Sequence, residues 1–310
     1  GLSSRITIQR HRFGFLLDFT NAPILHSHPK RPVARYVTHK RGIIEVWLYP
    51  ALFLLAAVLA LFTTPLTSRL ARRMGAVDVP GPLSIHSTPT PRLGGLAVSL
   101  GLYGGLLLAS WATVEGVGQL SIYTGIVVGG LIVLATGLVE DSRGLPRSLR
   151  VVGALLGASI AIAAGVRVGL FPWPPVGLLV TFFFLVGGAN AMNLLDGMDG
   201  LASGVTALAA AFLLLLALLA PGPQAEAGAI AVLLAGAAVG FLWHNRPRAR
   251  AFLGDGGSLL LGFTLASIVC LLASQPGDWR GLVSPLLVLT LPIADTAAAL
   301  VRRFRRWRFF

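Results

Sequence analysis

Charged residues are scarce in this sequence: Asp, Glu, Lys and Arg make up only 12% of its 310 residues, whereas 55% are hydrophobic. Soluble globular domains carry about a quarter charged residues, so the composition excludes an ordinary soluble domain. The single cysteine, Cys270, lies inside an apolar run and has no partner for an internal disulfide. Cysteine usage therefore gives no information about the redox compartment.

Several sequence signatures of nucleotide and metal sites are also missing. The chain contains no P-loop, no HExxH, no CxxC pair and no GxGxxG. These absences argue against an ATP-driven pump, a zinc metalloprotease and a Rossmann-type enzyme. The net charge is +13, and the basic residues lie in short segments between apolar runs. This pattern favours anionic lipid headgroups and phosphorylated substrates as partners, and it does not favour nucleic acid.

Long apolar runs dominate the rest of the chain. A helix that crosses a hydrocarbon layer of about 30 Å needs about 20 apolar residues, and in lipid a helix satisfies its own backbone hydrogen bonds. We therefore predict an all-α, polytopic integral membrane bundle with about nine transmembrane helices. The predicted spans are 47–66, 93–114, 120–139, 149–165, 175–192, 201–220, 226–243, 258–273 and 282–301.

Arginine is distributed unevenly around these spans. Loops after odd-numbered spans, together with the end of the chain, hold fifteen arginines, whereas loops after even-numbered spans hold only Arg167 and Arg280. Because cytoplasmic loops are enriched in Lys and Arg, we expect the odd-numbered loops and the C-terminus to be cytoplasmic. Seven acids then lie at or near the cytoplasmic face of a multi-pass cell-membrane protein: Asp78, Glu140, Asp141, Asp196, Asp199, Asp255 and Asp295.

Residues 1–42 differ from the membrane region at 43–310, because they are polar and basic and show no sustained hydrophobic periodicity. Their charge opposes the predicted orientation. A long tail can escape the charge rule, or the tail can fold back as an amphipathic segment, or the true start lies near 43–46. We favour the third explanation and expect the extension to be without function.

The most informative polar segment is 190–202. Asn190 and Asn193 are three residues apart, so they share one face of a helix end, and Asp196 and Asp199 each precede a glycine that permits a tight turn. Such oxygen ligands suit Mg²⁺, which prefers one or two protein oxygens plus substrate phosphates. The alternative is a polar helix cap with turn glycines.

A second polar segment, 252–258, opens the eighth predicted span. Glycines surround Asp255, and Ser258 is placed to cap the helix. A helix N-terminus suits phosphate, and the residues just upstream add donors for a diphosphate. The alternative is ordinary basic flanking of a span. The upstream donors are His244, Asn245, Arg246, Arg248 and Arg250.

Two further segments carry candidate residues. Glu140 and Asp141 are adjacent carboxylates at the membrane surface, so one is expected to keep its proton or to bind a metal; the alternative is an interface pair matched by nearby arginines. The proline-rich loop 78–95 has His86 and Arg92 as its polar points. A lone loop histidine is usually only solvated.

Taken together, these segments resemble the polyprenyl-phosphate N-acetylhexosamine-1-phosphate transferase family (MraY/WecA/TagO). Residues 190–202 match its NxxNxxDGxDGLA block, and 252–258 match its F-[ML]-G-D-x-G-S block. The loop 78–95, the acid pair at 137–141 and the segment 291–296 match three more blocks in the family order. The two asparagines and the Pro-Thr-Pro loop resemble the WecA/TagO branch more than the MraY branch.

The resemblance implies transfer of N-acetylhexosamine 1-phosphate, with N-acetylglucosamine favoured, from a UDP-sugar to undecaprenyl or another polyprenyl phosphate. UMP is released at the cytoplasmic face, in the first membrane step of cell-wall or surface polysaccharide synthesis. Mg²⁺, or alternatively Mn²⁺, is the implied cofactor, and a homodimer is a further expectation. The implied roles are metal binding for Asn193 and Asp255, catalysis for Asp141 and Glu140, and substrate binding for Asp196, Asp199, Asn190, His86, Arg92, Arg248 and Arg250.

The sequence departs from the family pattern in three places. Glu140 stands where the family usually has Asp, and Leu83 stands where it has an arginine. The chain ends at Phe310, whereas family members continue into a histidine-rich loop and another helix, so we expect a C-terminal truncation. Two other functions stay open at this point. One is a secondary transporter, since acids and glycine-rich broken helices also mark ion sites, and the other is a catalytically inactive membrane scaffold.

Overall fold

The structure is a computed structural model of the chain. It describes residues 33–81, 88–113, 117–144, 146, 148–220, 224–274, 282–283, 285–286 and 289–305, without the side chains of 33–46, 111–113, 117–119 and 303–305. The chain divides into two units, Gly1–Ile43 and Ile44–Phe310. Most of the predicted N-terminal extension, residues 1–32, lies outside the described residues, so its lack of function stays a prediction.

The described residues form nine helices and one short sheet. The helices are α1 Val33–Met74, α2 Gly94–Thr113, α3 Val117–Arg143, α4 Ser148–Ala163, α5 Pro174–Leu195, α6 Leu201–Leu219, α7 Ala225–Asn245, α8 Gly254–Leu272 and α9 Thr290–Arg305. The sheet pairs β1, Val77–Asp78, antiparallel with β2, Thr90–Pro91, in the register Val77↔Pro91 and Asp78↔Thr90. This pairing closes the base of the proline-rich loop.

The prediction of a helical multi-pass membrane protein is confirmed, although the number of clear spans is lower. Within the described residues, six helices are long and apolar enough to cross a membrane, namely α1 from Trp47, α3 from Leu120, α5, α6, α7 and α8. Helices α2 and α4 add two shorter apolar segments. The ninth predicted span differs most, because α9 begins only at Thr290 and carries Asp295 and a basic C-terminal end.

Three helices extend further toward the polar segments than the apolar runs predicted. Helix α3 continues past residue 139 to Arg143, α5 continues past 192 to Leu195, and α8 begins at Gly254, ahead of the predicted 258. Backbone hydrogen bonds carry a helix through polar residues that end an apolar run. The candidate residues Glu140, Asp141, Asn193 and Asp255 are therefore on helices and have fixed positions.

Helix α8 is the centre of the bundle and packs against α2, α3, α5, α6 and α7. Asp255 is the one residue of α8 that is not buried. Helix α7 is also largely buried, whereas large apolar residues such as Phe62, Leu179 and Phe183 are exposed on the outer faces of other helices. In a membrane protein these faces contact lipid, so α8 is shielded from the bilayer by its neighbours.

Glycines let the N-terminus of α8 enter between α2 and α3. A Cβ atom on Gly95 would collide with the backbone of Gly257, and one on Gly137 would collide with the backbone of Gly256. The approach to α2 is also fixed by the backbone, since Gly94 N–H donates to Phe252 O at 3.0 Å. The acid-bearing end of α8 is therefore held by backbone contacts on two sides.

A proline in α1 is compensated by a histidine of α7. Pro65 has no N–H, so the carbonyl of Leu61, four residues earlier, lacks its usual helical donor. His244 Nε2 lies 3.0 Å from that oxygen. Because a carbonyl only accepts, the Nε2 nitrogen must carry the proton in this contact. The predicted use of His244 as a diphosphate donor is therefore replaced by a structural contact between α1 and α7.

Candidate active site

Four helices place polar side chains together at one end of the bundle. Glu140 and Asn193 lie in the last turns of α3 and α5, whereas Arg150 and Asp255 lie in the first turns of α4 and α8. We call these four residues the charged cluster. Because α3 and α5 end where α4 and α8 begin, residues that are far apart in the sequence meet at the same height of the bundle.

The two predicted metal ligands contact each other. Asn193 Nδ2 donates to Asp255 Oδ1 at 2.8 Å and to Ser258 Oγ at 2.9 Å. The Ser258 hydroxyl lies within α8 and donates to Gly254 O at 3.1 Å. The prediction that Ser258 caps α8 is wrong, because the helix begins four residues earlier, with Leu253 as its N-cap and no side-chain cap.

Arg150 joins the other members of the charged cluster. Its Nε lies 2.8 Å from Glu140 Oε2, and one terminal nitrogen, Nη1, lies 2.8 Å from Asn193 Oδ1 and 3.2 Å from Asp255 Oδ1. The guanidinium is largely buried, with 14% of the side chain exposed. This fork-like contact with several oxygens is the geometry for which arginine is suited.

Sequence reasoning missed Arg150 as a site residue, because it was counted only among the arginines that indicate the cytoplasmic side. A usable signal was present: Arg150 falls inside the predicted fourth span, 149–165, and a charge within a span is by default a functional hypothesis. It also lies in the first turn of a helix, where the macrodipole disfavours a cation. Both facts indicate that specific anionic partners hold it.

The adjacent acids Glu140 and Asp141 point to different partners. Glu140 pairs with Arg150, whereas Asp141 Oδ2 accepts the backbone N–H of Gly256 in the first turn of α8 at 3.2 Å. The other oxygen of Asp141, Oδ1, is buried, has no hydrogen-bond partner among the described residues and lies 3.9 Å from Arg92 Nε. The predicted repulsion between the two carboxylates is therefore relieved by separate positive partners.

The contact of Asp141 with Gly256 changes the predicted use of the α8 N-terminus. One of the N–H groups expected to bind a substrate phosphate is already taken by a carboxylate of α3. Asp141 has only 1% of its side chain exposed. In this conformation Asp141 holds α8 against α3, and it reaches the surface only through the neighbouring Arg92.

Asp196 follows the last residue of α5, and its pKa depends on the charges of the charged cluster. Burial, and after it the negative charges of Asp255 and Asp141, raise its pKa from the ordinary value of 3.8 to about 7. Arg92 acts in the opposite direction. Near neutral pH, Asp196 therefore exists in both protonation states, and its charge responds to any cation that enters the cluster.

A second group of polar residues joins the turn after α5 to the loop before α8, and we call it the loop junction. Asn245, only 3% exposed, accepts hydrogen bonds from Gly200 N at 3.1 Å and from Ser203 Oγ at 2.8 Å. Its amide nitrogen donates to Ala251 O at 3.0 Å. The predicted use of Asn245 as a diphosphate donor is therefore not supported by this conformation, since its hydrogen-bonding groups bind the protein.

Asp199 belongs to the loop junction and not to the charged cluster. Its Oδ2 accepts the backbone N–H of Ala249 at 3.0 Å. The glycine after Asp199, Gly200, has a φ of 74°, which fits the predicted tight turn. Gly197, which follows Asp196, is not among the described glycines with positive φ, so only one of the two predicted turn glycines needs its special backbone freedom.

The other predicted substrate-binding residues are spread around these two groups. Arg248 and Arg250 are exposed in the loop before α8, and Arg248 has a left-handed backbone with a φ of 67°. Arg92 lies 3.8 Å from Asp78 and has 40% of its side chain exposed. Asn190 donates to Val186 O within its own helix at 2.8 Å. His86 lies outside the described residues, so its role stays a prediction.

No group of three or more His, Cys, Asp or Glu side chains among the described residues could enclose a metal ion. The charged cluster offers instead one amide oxygen and a few carboxylate oxygens. Such a hard and incomplete ligand set does not fit a structural zinc site, which takes four N or S ligands. It fits Mg²⁺, which keeps several waters and takes ligands from a phosphate substrate.

Comparison with known proteins identifies the family. A profile described as glycosyl transferase family 4 matches residues 123–273, the segment that holds all four members of the charged cluster. Decaprenyl-phosphate N-acetylglucosaminephosphotransferase of Mycobacterium tuberculosis is 36% identical over 286 residues, covering 82% of this chain and 70% of that protein.

Two further relatives have different enzyme names. The probable undecaprenyl-phosphate N-acetylglucosaminyl 1-phosphate transferase of Bacillus subtilis is 30% identical over 260 residues, covering 81% of this chain and 70% of that protein. Phospho-N-acetylmuramoyl-pentapeptide-transferase of Thermosynechococcus vestitus is 36% identical over 240 residues, covering 70% of this chain and 61% of that protein. With relatives of this identity and coverage, the chain belongs to glycosyl transferase family 4.

Proposed function

We propose that this protein transfers N-acetylhexosamine 1-phosphate, with N-acetylglucosamine as the favoured sugar, from a UDP-sugar to undecaprenyl or another polyprenyl phosphate. UMP leaves, and the product enters cell-wall or surface polysaccharide synthesis. The observation that carries the proposal is the charged cluster, which four helices assemble at one end of an apolar bundle in a chain related to named phosphotransferases.

The proposed metal ligands are Asn193 Oδ1 and the carboxylate of Asp255, with Mg²⁺ as the ion and Mn²⁺ as an accepted substitute. When bound, the metal would neutralise the charge that develops on the diphosphate. Asp255 is the only residue of α8 that is not buried, so it is the point at which this helix can meet a substrate from the aqueous side. Few protein ligands imply weak metal binding until a diphosphate supplies more oxygens.

The two adjacent acids take different parts in this proposal. Glu140 orients Arg150 through the 2.8 Å contact. Asp141 fixes the start of α8 through Gly256 N–H and keeps one buried oxygen available to a phosphate hydroxyl or to Arg92. A lipid phosphate is already largely anionic at neutral pH, so orientation and charge neutralisation contribute more than removal of a proton.

The donors for the nucleotide diphosphate are proposed to be the exposed Arg248 and Arg250, together with Arg92 and His86. Arginine binds phosphate through planar, charge-assisted hydrogen bonds. Asp196 and Asn190 are proposed as further substrate contacts, and Asp199 holds the loop that carries Arg248 and Arg250 through Ala249. The homodimer stays a prediction.

The active site is proposed to face the cytoplasm, where nucleotide sugars are made. Single cysteines at Arg248 and at Trp173, an exposed residue in the loop between α4 and α5, would test this orientation. Cys270 is buried and gives little background. In intact cells an impermeant thiol reagent should label the cysteine at position 173 and spare the one at 248. Reversed labelling would contradict the cytoplasmic orientation.

The direct test of function is UMP release. Membranes that contain this chain should release UMP from UDP-N-acetylglucosamine only when undecaprenyl phosphate and Mg²⁺ are present, and the Asp255→Asn variant should not. A secondary transporter would move a solute without releasing UMP. Failure of the wild-type chain to release UMP from either UDP-N-acetylglucosamine or UDP-N-acetylgalactosamine, in membranes where it is inserted, would contradict the proposal.

A further inference from the structure

Arg150 occupies the oxygens that the proposed metal ion needs. Its Nη1 is hydrogen-bonded to Asn193 Oδ1 at 2.8 Å and lies 3.2 Å from Asp255 Oδ1. Mg²⁺ takes amide and carboxylate oxygens as ligands, and Nη1 already contacts one such oxygen of each proposed ligand residue. The arginine and the ion therefore compete for the same place and the same negative charge.

The rest of the guanidinium has a separate anchor. Arg150 Nε lies 2.8 Å from Glu140 Oε2, which is on another helix from Asn193 and Asp255. Nη1 can therefore leave the metal ligands while Nε keeps its partner, and Glu140 serves as a pivot. A charged guanidinium that leaves two acceptors needs a new anion, and the diphosphate of a nucleotide is the anion that arrives at this site.

We propose that Arg150 excludes the divalent cation from Asn193 and Asp255 until a nucleotide diphosphate binds and draws the guanidinium away. This inference rests on the proposed function, because it takes Asn193 and Asp255 as the metal ligands. It adds an order to the reaction: the metal enters with the nucleotide or after it. Before that point Arg150 offsets the negative charge of Glu140 and Asp255 in place of the metal.

The test measures Mn²⁺ binding to the purified full chain by the electron paramagnetic resonance signal of the free ion, with and without UDP. The wild-type chain should bind Mn²⁺ at least tenfold more tightly when UDP is present. Arg150→Gln removes the competing charge, so it should bind Mn²⁺ without UDP at least tenfold more tightly than the wild type. The effect of UDP on this variant should shrink accordingly.

Two matched variants control for the substitution. Arg150→Lys keeps the positive charge and should bind Mn²⁺ as weakly as the wild type without UDP. Arg143→Gln removes an exposed arginine from the end of α3 and should leave Mn²⁺ affinity unchanged. If Arg150→Gln does not fold because Glu140 loses its partner, the Glu140→Gln/Arg150→Gln double variant removes both charges together and should show the same gain in affinity.

The outcomes separate this inference from the proposed function. If Asp255→Asn does not abolish the Mn²⁺ binding that UDP promotes, the proposed metal site itself is wrong. If Asp255→Asn abolishes it but neither neutral Arg150 variant binds Mn²⁺ more tightly, only the role of Arg150 is overturned. Wild-type Mn²⁺ affinity that does not depend on UDP would overturn it as well.

Discussion

The charged cluster and the loop junction both take residues from the segment 190–202, yet their polar atoms bind different things. In the charged cluster, side chains bind one another across four helices, and the 27% exposed side chain of Asp255 leaves room for a ligand. In the loop junction, Asn245 and Asp199 bind backbone N–H and C=O groups of the protein.

This difference shows that one sequence motif can contain residues with two roles. Some residues form the candidate active site, and others bind the backbone and hold a loop in place. Asn193 and Asp199 are six residues apart in one block, but only Asn193 reaches the charged cluster. A helix end presents its last residues to neighbouring helices, whereas a turn must satisfy its own backbone groups. We therefore expect variants of the two groups to fail in different ways, with loss of turnover in the cluster and loss of stability in the junction.

The largest effect is expected for the metal ligands. Asp255→Asn keeps the shape of the side chain but removes its charge, so UMP release should fall at least about 100-fold, or about 2.7 kcal/mol in barrier. Asn193→Ala should act similarly, and the double variant should be scarcely worse than either single variant, because both residues serve one ion. Steady-state kinetics of UMP release by the purified, folded variants measures these losses. Additive losses would contradict a shared ion.

The loop junction should show the opposite pattern. Asn245→Ala leaves Gly200 N–H, the Ser203 hydroxyl and Ala251 C=O without their partner, so the free energy of unfolding should fall by about 3 kcal/mol. Titration with SDS in mixed micelles measures this. Asn190→Ala is the matched control, because within the described part of the chain its amide is hydrogen-bonded only to Val186 O in the same helix. This variant should cost less than about 1 kcal/mol. Equal losses would remove the distinction between the two groups.

The contact at the proline of α1 should have a smaller and conditional effect. His244→Phe leaves the Leu61 carbonyl without a donor and should lower the free energy of unfolding by about 1–2 kcal/mol. In a Pro65→Ala background the helix supplies its own N–H at that position, so the same substitution should cost much less. An unchanged loss in that background, measured by the same SDS titration, would show that His244 acts through packing alone.

The smallest effect is expected from Asp196. Its pKa of about 7 means that it is mostly neutral below pH 7 and mostly negative above it. Metal-free UDP should therefore bind more weakly as the pH rises through about 7, because a new negative charge faces the diphosphate. Asp196→Asn lacks this charge, so it should match the wild type at pH 6 and bind a few-fold more tightly at pH 8, as measured by calorimetry.

The raised pKa of Asp196 also predicts how the free energy of unfolding changes with pH. The folded-state pKa of Asp196 lies above the ordinary value of 3.8, so the unfolded chain releases this proton first as the pH rises. The contribution of Asp196 to the free energy of unfolding therefore decreases between about pH 4 and pH 7. Asp196→Asn should flatten this part of the stability profile, and an identical slope in both proteins would contradict the assignment.

The helical membrane fold and the convergence of polar segments on one face could be predicted from the sequence, because apolar length and arginine distribution are properties of single segments. The exact partners could not. Nothing in the sequence says that Asp141 accepts the N–H of Gly256, since this contact depends on how α8 enters between α2 and α3. Nor does the sequence say that Asn245 is buried, because its contacts depend on how the turn after α5 meets the loop before α8. Gly256 and Gly257, which permit this approach, were noticed only as neighbours of Asp255.

Arg150 marks the limit of reasoning from segments. It was counted as one of fifteen arginines that indicate orientation, and no role in the site was predicted for it. Its place in the site depends on three partners on three other helices, at positions 140, 193 and 255. A test applied to each charge, asking whether it lies within a predicted span, would have separated Arg150 from the arginines that lie outside the spans.

Helix α8 also has a consequence for how the protein is assembled. Once the bundle is complete, α8 is surrounded by protein, and an enclosed helix can carry polar residues that neighbours satisfy. Its mean hydropathy is nevertheless 1.8, and its described residues hold one charge, Asp255, at the end. Transmembrane helices insert individually before they associate. The sequence of α8 is therefore suited to two environments in succession, first the lipid that it enters alone and then the neighbouring helices that exclude lipid from it.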